Sequence, residues 1–426
     1  MKGSIIQNGE NDIVNDNIAL EMVAQQIWSA GLADGSLHMG INRKTGPNYR
    51  VAESYWIIPN AVKPRYLVPV ASRVVTANAL TKFRGLRSAR VNTARLLLGF
   101  AAKLCIPLSR DKLSIYARTD SPATSPLQHL KQQLGVTELY AATGVRLGLN
   151  AKPTLHLFDS RGKPVGFAKL SWNTASTKLI SNEANTLRDL DGGSSLARVP
   201  RLLFDGDVNG KPYIVTSPLP ESVRGLSGSV HPPTPLEMHS LAPLNGLVCL
   251  ADLAFYTKLR QKISALAGKD PASTLGNAAR TLISLLDRQE KKVPTTERWH
   301  GDLVPWNCAR DSNGTLWCWD WETSDPDVVA GLDILHWTFN VRKKHSKRDA
   351  GQDLRCAIQD SQLYLRAASM DDEAVSIATG VYVLILVERA WTLALDDAGW
   401  SRSWISEQDL EYMLMVAQIA LTTREP

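Results

Sequence analysis

The most informative segment of the chain spans residues 300–322 and reads HGDLVPWNCARDSNGTLWCWDWE. It contains a carboxylate at Asp302, a side-chain amide at Asn307 and a second carboxylate at Asp320. The DSNG sequence at 311–314 is typical of a tight turn between two strands. A hairpin closed by that turn returns Asp320 toward Asn307. The spacing therefore predicts that three oxygen-bearing side chains lie close together.

These side chains have the chemistry that phosphoryl transfer requires. The reaction needs a carboxylate that orients the attacking hydroxyl and accepts its proton, and it needs oxygen ligands that hold Mg²⁺ against the phosphates. Asp302 suits the first requirement, and Asn307 with Asp320 suits the second. The simpler alternative is that both aspartates only form turns or helix caps. The agreement between residue types and spacing favours the catalytic interpretation.

The motif resembles that of the aminoglycoside phosphotransferase and choline kinase superfamily, which shares the protein-kinase-like fold. Members commonly carry HGDxxxxN followed by a D-W-E or similar triplet, seen here at 300–307 and 320–322. The resemblance implies ATP and Mg²⁺ as cofactors. It also implies residue roles: Asp302 as catalytic base, Asn307 and Asp320 as Mg²⁺ ligands, and His300 as a structural organiser of the loop. A later family Asp–Leu pair, here Asp333-Ile334, is expected to hold the catalytic loop.

The resemblance also predicts a phosphate-binding lysine upstream. The segment Val165–Leu170 reads as a strand that carries Lys169 near its end, comparable to the kinase V-A-I-K strand. Glu183 follows fourteen residues later, on a predicted helix from Ser181 to Leu190. A kinase-like core pairs these two side chains so that the lysine is held in place. The alternative is an unrelated surface pair, and the downstream motif favours the functional interpretation.

The loop that would cover the nucleotide phosphates is the weakest match. The TGVRLGLN sequence contains Gly144 and Gly148 but no G-x-G-x-x-G pattern. Backbone amides near these glycines, with Arg146 beside them, are candidates for cradling phosphate. Gly144 and Gly148 therefore join Lys169 and Glu183 as predicted cofactor-binding residues.

The spacing of apolar residues indicates an α+β protein with a protein-kinase-like bilobal fold. Short strand-like runs come first: Val145–Leu149, Thr154–Phe158, Val165–Leu170, Arg201–Phe204 and Tyr213–Thr216. Helical spacing follows from Pro235 to Arg288 and resumes from Asp353 to the C-terminus. A small antiparallel-sheet N-lobe and a mostly helical C-lobe are therefore expected.

Three segments are predicted from this pattern. Residues 1–125 form an N-terminal extension of unassigned role, and the TDSPATSPLQ sequence at 119–128 has the composition of a linker. Residues 130–220 form the N-lobe. Residues 221–426 form the helical C-lobe, which carries the catalytic loop 300–307 and the metal-binding segment 316–322.

Composition favours a cytoplasmic globular protein. The chain is 44% hydrophobic and 21% charged, and its five cysteines are scattered without a CxxC pair. This usage argues against a disulfide framework and favours a reducing compartment. The start of the chain has no apolar signal-peptide core. The most apolar stretch, Ile377–Leu395, contains Glu388 and Arg389, so we expect a buried core helix and no transmembrane segment.

A basic block lies between residues 63 and 103, where no Asp or Glu occurs. We expect a helix over Ala79–Leu104 with its apolar residues inside and its cationic residues outside. A solvated helix face explains the charge most simply. The block is also compatible with an anionic surface or a partner protein. The sequence has no recognisable nucleic-acid-reading module, which argues against nucleic acid as the partner.

Three functions are compatible with the sequence. The first is an ATP-dependent phosphotransferase acting on a hydroxyl group of a small molecule, such as an antibiotic, an amino alcohol or a sugar-like compound. Acidic residues at 371–373 could attract a cationic acceptor, although a helix start explains them equally well. The second is a non-catalytic kinase-like module that binds a nucleotide or a partner. The third places the main function in residues 1–125.

Overall fold

The computed structural model describes residues 11–43, 46–82, 86, 88–120, 125–146, 152–226, 231–346, 348–396 and 399–423. These divide into two compact units. The first comprises Met1–Arg188 with Pro200–Val223, and the second comprises Asp189–Val199 with Arg224–Pro426.

Helices and strands are both abundant in the described residues, so the fold class is α+β, as the sequence predicts. The helices are α1 (Asn11–Ala33), α2 (Arg73–Thr81), α3 (Ala89–Lys103), α4 (Pro126–Gln133), α5 (Thr174–Leu190), α6 (Pro235–Leu241), α7 (Ala254–Lys269), α8 (Thr274–Leu286), α9 (Leu332–His345), α10 (Ala350–Ala367), α11 (Asp372–Asp396) and α12 (Glu407–Thr422). The strands are β1 (Leu37–Ile41), β2 (Tyr49–Ile58), β3 (Tyr66–Pro69), β4 (Lys112–Arg118), β5 (Tyr140–Gly144), β6 (Thr154–Phe158), β7 (Pro164–Leu170), β8 (Ala197–Arg198), β9 (Leu202–Val208), β10 (Lys211–Thr216), β11 (Arg224–Gly225), β12 (Leu244–Cys249), β13 (Lys292–Trp299), β14 (Cys308–Arg310), β15 (Leu316–Cys318) and β16 (Asp325–Val329).

The first unit is built on a nine-stranded antiparallel sheet in the order β1-β4-β2-β3-β5-β6-β7-β10-β9. Alternate residues of each strand face opposite sides, so both faces can bury apolar side chains. One face packs against α1 and α4 through residues such as Trp28, Leu130 and Leu157. The other face packs against α2 through Val75 and Leu80.

The predicted boundary between residues 125 and 130 does not separate two sheets. Strands β1–β4 lie before it and β5–β7 lie after it, yet β3 pairs directly with β5 in one sheet. The Ser/Thr/Pro-rich sequence leads into a helix start. The Ser125 side chain accepts a hydrogen bond from the Gln128 backbone N–H, and Pro126 occupies the first helical turn of α4. Residues 1–125 are therefore not a separate extension from the sheet that follows.

The prediction of a single helix over Ala79–Leu104 is wrong, because α2 and α3 cover this region. Lys82 adopts an extended conformation that ends α2, and Ser88 is extended at the start of α3. The expected burial of the apolar residues is also only partial. Leu97 and Phe100 of α3 are 66% and 63% exposed.

Most of the strands predicted after residue 140 match the structure. The predicted run Thr154–Phe158 is β6, and the runs beginning at Val165 and Tyr213 lie within β7 and β10. The run predicted over Val145–Leu149 is wrong in position, because the strand before β6 is Tyr140–Gly144. Residues 147–149 of that run lie outside the described residues.

The second unit is mostly helical, with two small sheets in the orders β11-β14-β15-β8 and β12-β13-β16. Its longest described helix is α11, whose apolar residues point in all directions, a pattern typical of a buried core helix. Within the described residues, the stretch Asp372–Leu395 is the one long and apolar enough to cross a membrane. Of its most apolar window, 89% is buried in the protein, which agrees with the predicted core helix.

Candidate active site

The predicted catalytic loop follows directly after β13. Its two central side chains are in contact, because the Asn307 Nδ2 atom donates to Asp302 Oδ2 at 2.9 Å. The same amide nitrogen also donates to the Asp302 backbone oxygen at 3.0 Å. Asn307 is buried, whereas the Asp302 side chain is 44% exposed. The loop therefore holds one carboxylate oxygen in place while leaving the carboxylate accessible to solvent.

His300 connects the loop to the strand hairpin that follows it. Its Nδ1 atom accepts from the Asp302 backbone N–H at 3.3 Å, so its proton lies on Nε2, which faces the Trp319 backbone oxygen at 3.0 Å. Burial lowers the pKa of His300, which keeps the ring neutral in this arrangement. The ring also packs on Trp321, with centroids 4.4 Å apart. These contacts are those of a residue that organises the loop.

The Asp333 carboxylate fixes the beginning of the loop from α9. Its two oxygens accept the backbone N–H groups of His300 at 2.7 Å and Gly301 at 3.1 Å. Burial raises the pKa of Asp333, although the two N–H groups and His300 oppose that rise. Asp333 therefore makes the contacts expected of the residue that holds the catalytic loop.

Arg389 is a second anchor of the loop, and its role was not predicted from the sequence. It lies on α11 and donates from Nη1 to the Gly301 backbone oxygen at 2.6 Å. Its guanidinium carbon lies 4.9 Å from the centroid of the Trp299 ring, within the range of a cation–π contact. The charged residue that interrupts the most apolar helix thus binds the backbone of the HGD motif.

Gly301 has a conformation and a close contact that exclude a side chain. Its φ is +84°, and an added Cβ would lie 2.2 Å from the Thr323 backbone oxygen. We expect Gly301→Ala to lower the free energy of unfolding by about 3 kcal/mol, because left-handed strain and a backbone clash add together. Gly314→Ala is the matched control, since φ is +82° there but no atom lies within 4 Å of the added Cβ. Urea unfolding of both variants measures the difference. Equal destabilisation would show that the contact with Thr323 is unimportant.

His336 is a further contact of Asp302 that the sequence did not reveal. Its Nε2 atom lies 3.1 Å from Asp302 Oδ1, and its Nδ1 atom lies 3.3 Å from the Tyr382 hydroxyl. Burial raises the pKa of Tyr382 well above its usual value, so the hydroxyl stays protonated and can donate to Nδ1. The proton of a neutral His336 then lies on Nε2 and points at Asp302. Asn307 and His336 thus each hold one oxygen of the Asp302 carboxylate.

The hairpin that carries Asp320 forms as predicted. Gly314 N–H bonds to the Asp311 backbone oxygen at 3.1 Å, and β14 pairs with β15 in the register Cys308↔Cys318. The Trp319 backbone N–H donates to the Asn307 backbone oxygen at 3.1 Å. Asp320 therefore comes one residue after the partner of Asn307, and its left-handed backbone (φ 67°) lies two residues beyond the end of β15.

The chemistry of these residues suits Mg²⁺. An amide oxygen from Asn307 and a carboxylate from Asp320 are hard oxygen ligands, and Mg²⁺ takes its remaining ligands from phosphate and water. In the part of the chain that is described, no group of three or more His, Cys, Asp or Glu side chains forms a metal site by itself. A site completed by a nucleotide is consistent with this arrangement.

Several tryptophans around the loop are structural. Trp299, Trp321 and Trp337 are among the largest fully buried side chains. Trp306, which lies within the loop, is 45% exposed, and the Lys344 ammonium lies 5.4 Å from its ring centroid.

The first unit contains the predicted lysine–glutamate pair. Lys169 Nζ lies 2.7 Å from both carboxylate oxygens of Glu183. The side chains are only 11% and 3% exposed. Replacing one residue of a buried ion pair lowers the stability of the fold strongly, because the remaining charge is left buried and unpaired. The pairing that the resemblance implied is present.

The predicted phosphate loop is only partly described. Gly144 ends β5, and an added Cβ there would meet no atom within 4 Å, so its surroundings are open. Gly148 lies outside the described residues. The contribution of these two glycines to nucleotide binding stays a prediction.

Both sets of expected elements are now located, one in each unit. The first unit has a strand lysine paired with a helix glutamate, and the second has an HGD loop whose aspartate contacts Asn307. The fold is protein-kinase-like.

Kinase-like proteins are also found by structural comparison. Choline kinase LicA from Streptococcus pneumoniae is 15% identical, and the match covers 69% of this chain and 98% of that chain with a TM-score of 0.40. A putative fructosamine-3-kinase from Haemophilus somnus 129PT is 11% identical, with 68% and 96% coverage and a TM-score of 0.41. LicA in complex with AMP is 16% identical, with 70% and 100% coverage and a TM-score of 0.42. No family model and no curated protein matches the chain. At these TM-scores the similarities assign no substrate.

Proposed function

We propose that the protein is an ATP- and Mg²⁺-dependent phosphotransferase that acts on a hydroxyl group of a small molecule. The observation that carries the proposal is the Asp302 carboxylate, which Asn307 and His336 hold from two sides while 44% of the side chain stays exposed. A carboxylate that only formed a turn would need no such support. One that must meet a substrate hydroxyl needs both a fixed direction and access.

Asp302 is the proposed general base. It accepts the hydroxyl proton of the acceptor as the acceptor oxygen attacks the γ-phosphorus of ATP, while the bond from that phosphorus to the β–γ bridging oxygen breaks and ADP leaves. The fixed position of Asp302 orients the attacking hydroxyl. Asp333 and Arg389 act indirectly, since both bind the backbone of the HGD motif. They keep the loop in the conformation that presents Asp302.

Asn307 and Asp320 are the proposed holders of Mg²⁺. When bound, the ion neutralises charge on the nucleotide phosphates. The hydrogen bond between the Trp319 backbone N–H and the Asn307 backbone oxygen connects the two segments that supply these ligands. Lys169 is the proposed cation for the nucleotide phosphates, and Glu183 keeps its ammonium group in one position.

The acidic residues at 371–373 have a structural explanation. The Asp371 side chain accepts the backbone N–H of Ala374, and Asp371 and Glu373 both form ion pairs with Lys291. The start of α11 therefore accounts for them, and attraction of a cationic acceptor is not needed to explain their presence.

The test of the proposed function is transfer of labelled γ-phosphate from ATP to a panel of small-molecule hydroxyl acceptors. Mg²⁺-dependent ATP hydrolysis, measured in parallel, does not require the acceptor to be known. The alternative, a non-catalytic module, predicts nucleotide binding without transfer or hydrolysis. Hydrolysis that Asp302→Ala leaves unchanged would refute Asp302 as the base.

A cytoplasmic location is part of the proposal. It is supported by the five cysteines, which are scattered along the sequence without a CxxC pair, a usage typical of proteins in reducing compartments. Cys308 and Cys318 face each other across the hairpin with their sulfur atoms 3.6 Å apart.

His336 gives a test of how Asp302 is positioned. We expect His336→Ala to lower kcat about 10–100-fold, because a small misplacement of a reacting group has effects of this size. The KM for ATP should stay close to that of the wild type, since His336 contacts Asp302 and not the proposed nucleotide ligands. His336→Gln, which keeps a side-chain donor, should recover part of the loss in steady-state kinetics. Equal kcat values for the alanine and glutamine variants would contradict the positioning role.

A further inference from the structure

A cationic cavity of about 300 Å³ lies in the first unit, apart from the lysine–glutamate pair. Arginines from three different segments line it: Arg65 before β3, Arg95 on α3 and Arg146 after β5. Thr154 and His156 of β6 add polar groups, and none of the described residues that line the cavity is Asp or Glu. A cavity of this size can hold a small molecule.

Two of the arginines are held by their surroundings. The Arg95 guanidinium lies over the Tyr66 ring, 4.3 Å from its centroid, and Tyr66 is buried. The Arg65 backbone donates to Ile58 at 2.8 Å and accepts from Val145 at 3.0 Å, which fixes it between two strands. The ring contact positions the Arg95 guanidinium, and the backbone bonds fix the point from which the Arg65 side chain extends. Neither contact neutralises the charge.

Their positive charge is not compensated by an ion pair in the part of the chain that the structure describes. Among the described residues, neither Arg65 nor Arg95 nor Arg146 forms an ion pair, whereas Lys82 in the same basic block pairs with Glu221 at 2.6 Å. Three guanidinium groups around one cavity repel one another unless an anion lies between them. The arrangement therefore suits an anionic ligand.

The cavity opens on the same face of the sheet that carries Lys169. Thr154 pairs with Lys169 across β6 and β7, and directly opposite residues share a face. Tyr66 pairs with Gly144 across β3 and β5, and β5 is adjacent to β6. Tyr66 and Lys169 are thus three strand spacings apart, about 14 Å at roughly 4.8 Å per spacing.

We propose that this cavity binds a phosphate group of a small molecule through Arg65, Arg95 and Arg146. Planar guanidinium groups form paired hydrogen bonds with phosphate oxygens, which makes arginine better suited to this ligand than lysine. The site assigns a role to the basic block of residues 63–103. It extends the proposed phosphotransferase function, because the phosphate could belong to the nucleotide or to a separate phosphorylated molecule.

Calorimetric titration of the full chain with inorganic pyrophosphate tests the site without turnover or a known acceptor. The variant is Arg65→Ala/Arg95→Ala, which removes two lining charges. The matched control is Arg90→Ala/Lys103→Ala, which removes two exposed charges from α3 that do not line the cavity. We expect the cavity variant to raise the Kd for pyrophosphate about tenfold or more, and the control to leave it nearly unchanged.

The single variant Arg65→Ala shows whether weaker binding by the double variant reflects lost charge or misfolding. Arg65 is exposed, so its replacement leaves no buried gap. It should also weaken pyrophosphate binding. Pyrophosphate binding that is absent in the wild type, unaffected by the cavity variants, or weakened equally by the control would overturn the proposal.

A non-hydrolysable ATP analogue separates the two sources of phosphate. If the cavity variant weakens binding of the analogue as much as binding of pyrophosphate, the cavity binds the nucleotide's own phosphates. If it weakens binding of pyrophosphate alone, the cavity binds a separate phosphorylated molecule. Because neither measurement involves transfer, failure of this site is distinguishable from failure of the proposed activity.

Discussion

Asp302→Asn is expected to lower kcat for phosphoryl transfer about 10²–10⁴-fold, the range attributed to a positioned general base. Asparagine has nearly the same shape but cannot accept the proton of the attacking hydroxyl. Since the interaction is made in the transition state, kcat and kcat/KM should fall together. Steady-state kinetics of ATP hydrolysis, and of transfer once an acceptor is found, measure both.

The matched control for this variant is Asp360→Asn. Asp360 is in the same unit and forms a partly exposed ion pair with Arg342. The variant makes the same change from Asp to Asn at a residue outside the catalytic loop. Exposed ion pairs of this kind contribute at most about 1 kcal/mol to stability. Activity lost equally in both variants would point to a general effect on folding and away from Asp302 as the base.

Asp320→Asn is expected to raise the Mg²⁺ concentration needed for half-maximal activity. Loss of an outer-shell partner of a metal typically costs roughly 10–100-fold in metal affinity, and the effect here should be larger because a direct ligand loses its charge. The substitution should leave the backbone conformation unchanged. Asp320 has a φ of 67°, and asparagine tolerates this left-handed conformation.

The measurement is initial rate against Mg²⁺ concentration at saturating ATP. Partial recovery at high Mg²⁺ would separate weakened metal binding from loss of the fold. Normal turnover of Asp320→Asn at low Mg²⁺ would show that the metal lies elsewhere.

The parts of the site that could be predicted from sequence are those set by short spacings. Asp302 and Asn307 are five residues apart in one loop, and the turn at 311–314 fixes the return of the chain toward Asn307. Lys169 and Glu183 are fourteen residues apart, on a strand and the helix after it. In each case the partners are close in the chain. Residue type and spacing indicated the first contact, and the resemblance to kinase motifs indicated the second.

The supporting residues could not be predicted because their partners are distant in the chain. His336 lies 34 residues from Asp302, and Arg389 lies 88 residues from Gly301. Only the packing of α9 and α11 against the loop brings them close. Arg389 did give one signal, since a charged residue in the middle of the most apolar helix requires a buried partner.

The extent of the sheet was missed for a similar reason. β1 pairs with β4, and Leu37 faces Ala117 across eighty residues of sequence. Such pairings leave no local spacing for a sequence pattern to reveal. The apparent linker did contain a helix-start signal, because Ser125 and Gln128 form a capping box and Pro126 follows the cap.

Binding of Mn²⁺ together with a non-hydrolysable ATP analogue, followed by electron paramagnetic resonance, is the decisive measurement for the metal–nucleotide site. Mn²⁺ replaces Mg²⁺ at oxygen ligands and reports binding without turnover. We expect wild type to bind Mn²⁺ in a nucleotide-dependent way, Asp320→Asn to lose this binding, and Asp360→Asn to retain it. Unchanged Mn²⁺ binding in Asp320→Asn would contradict the assignment of the site to the HGD loop and its hairpin.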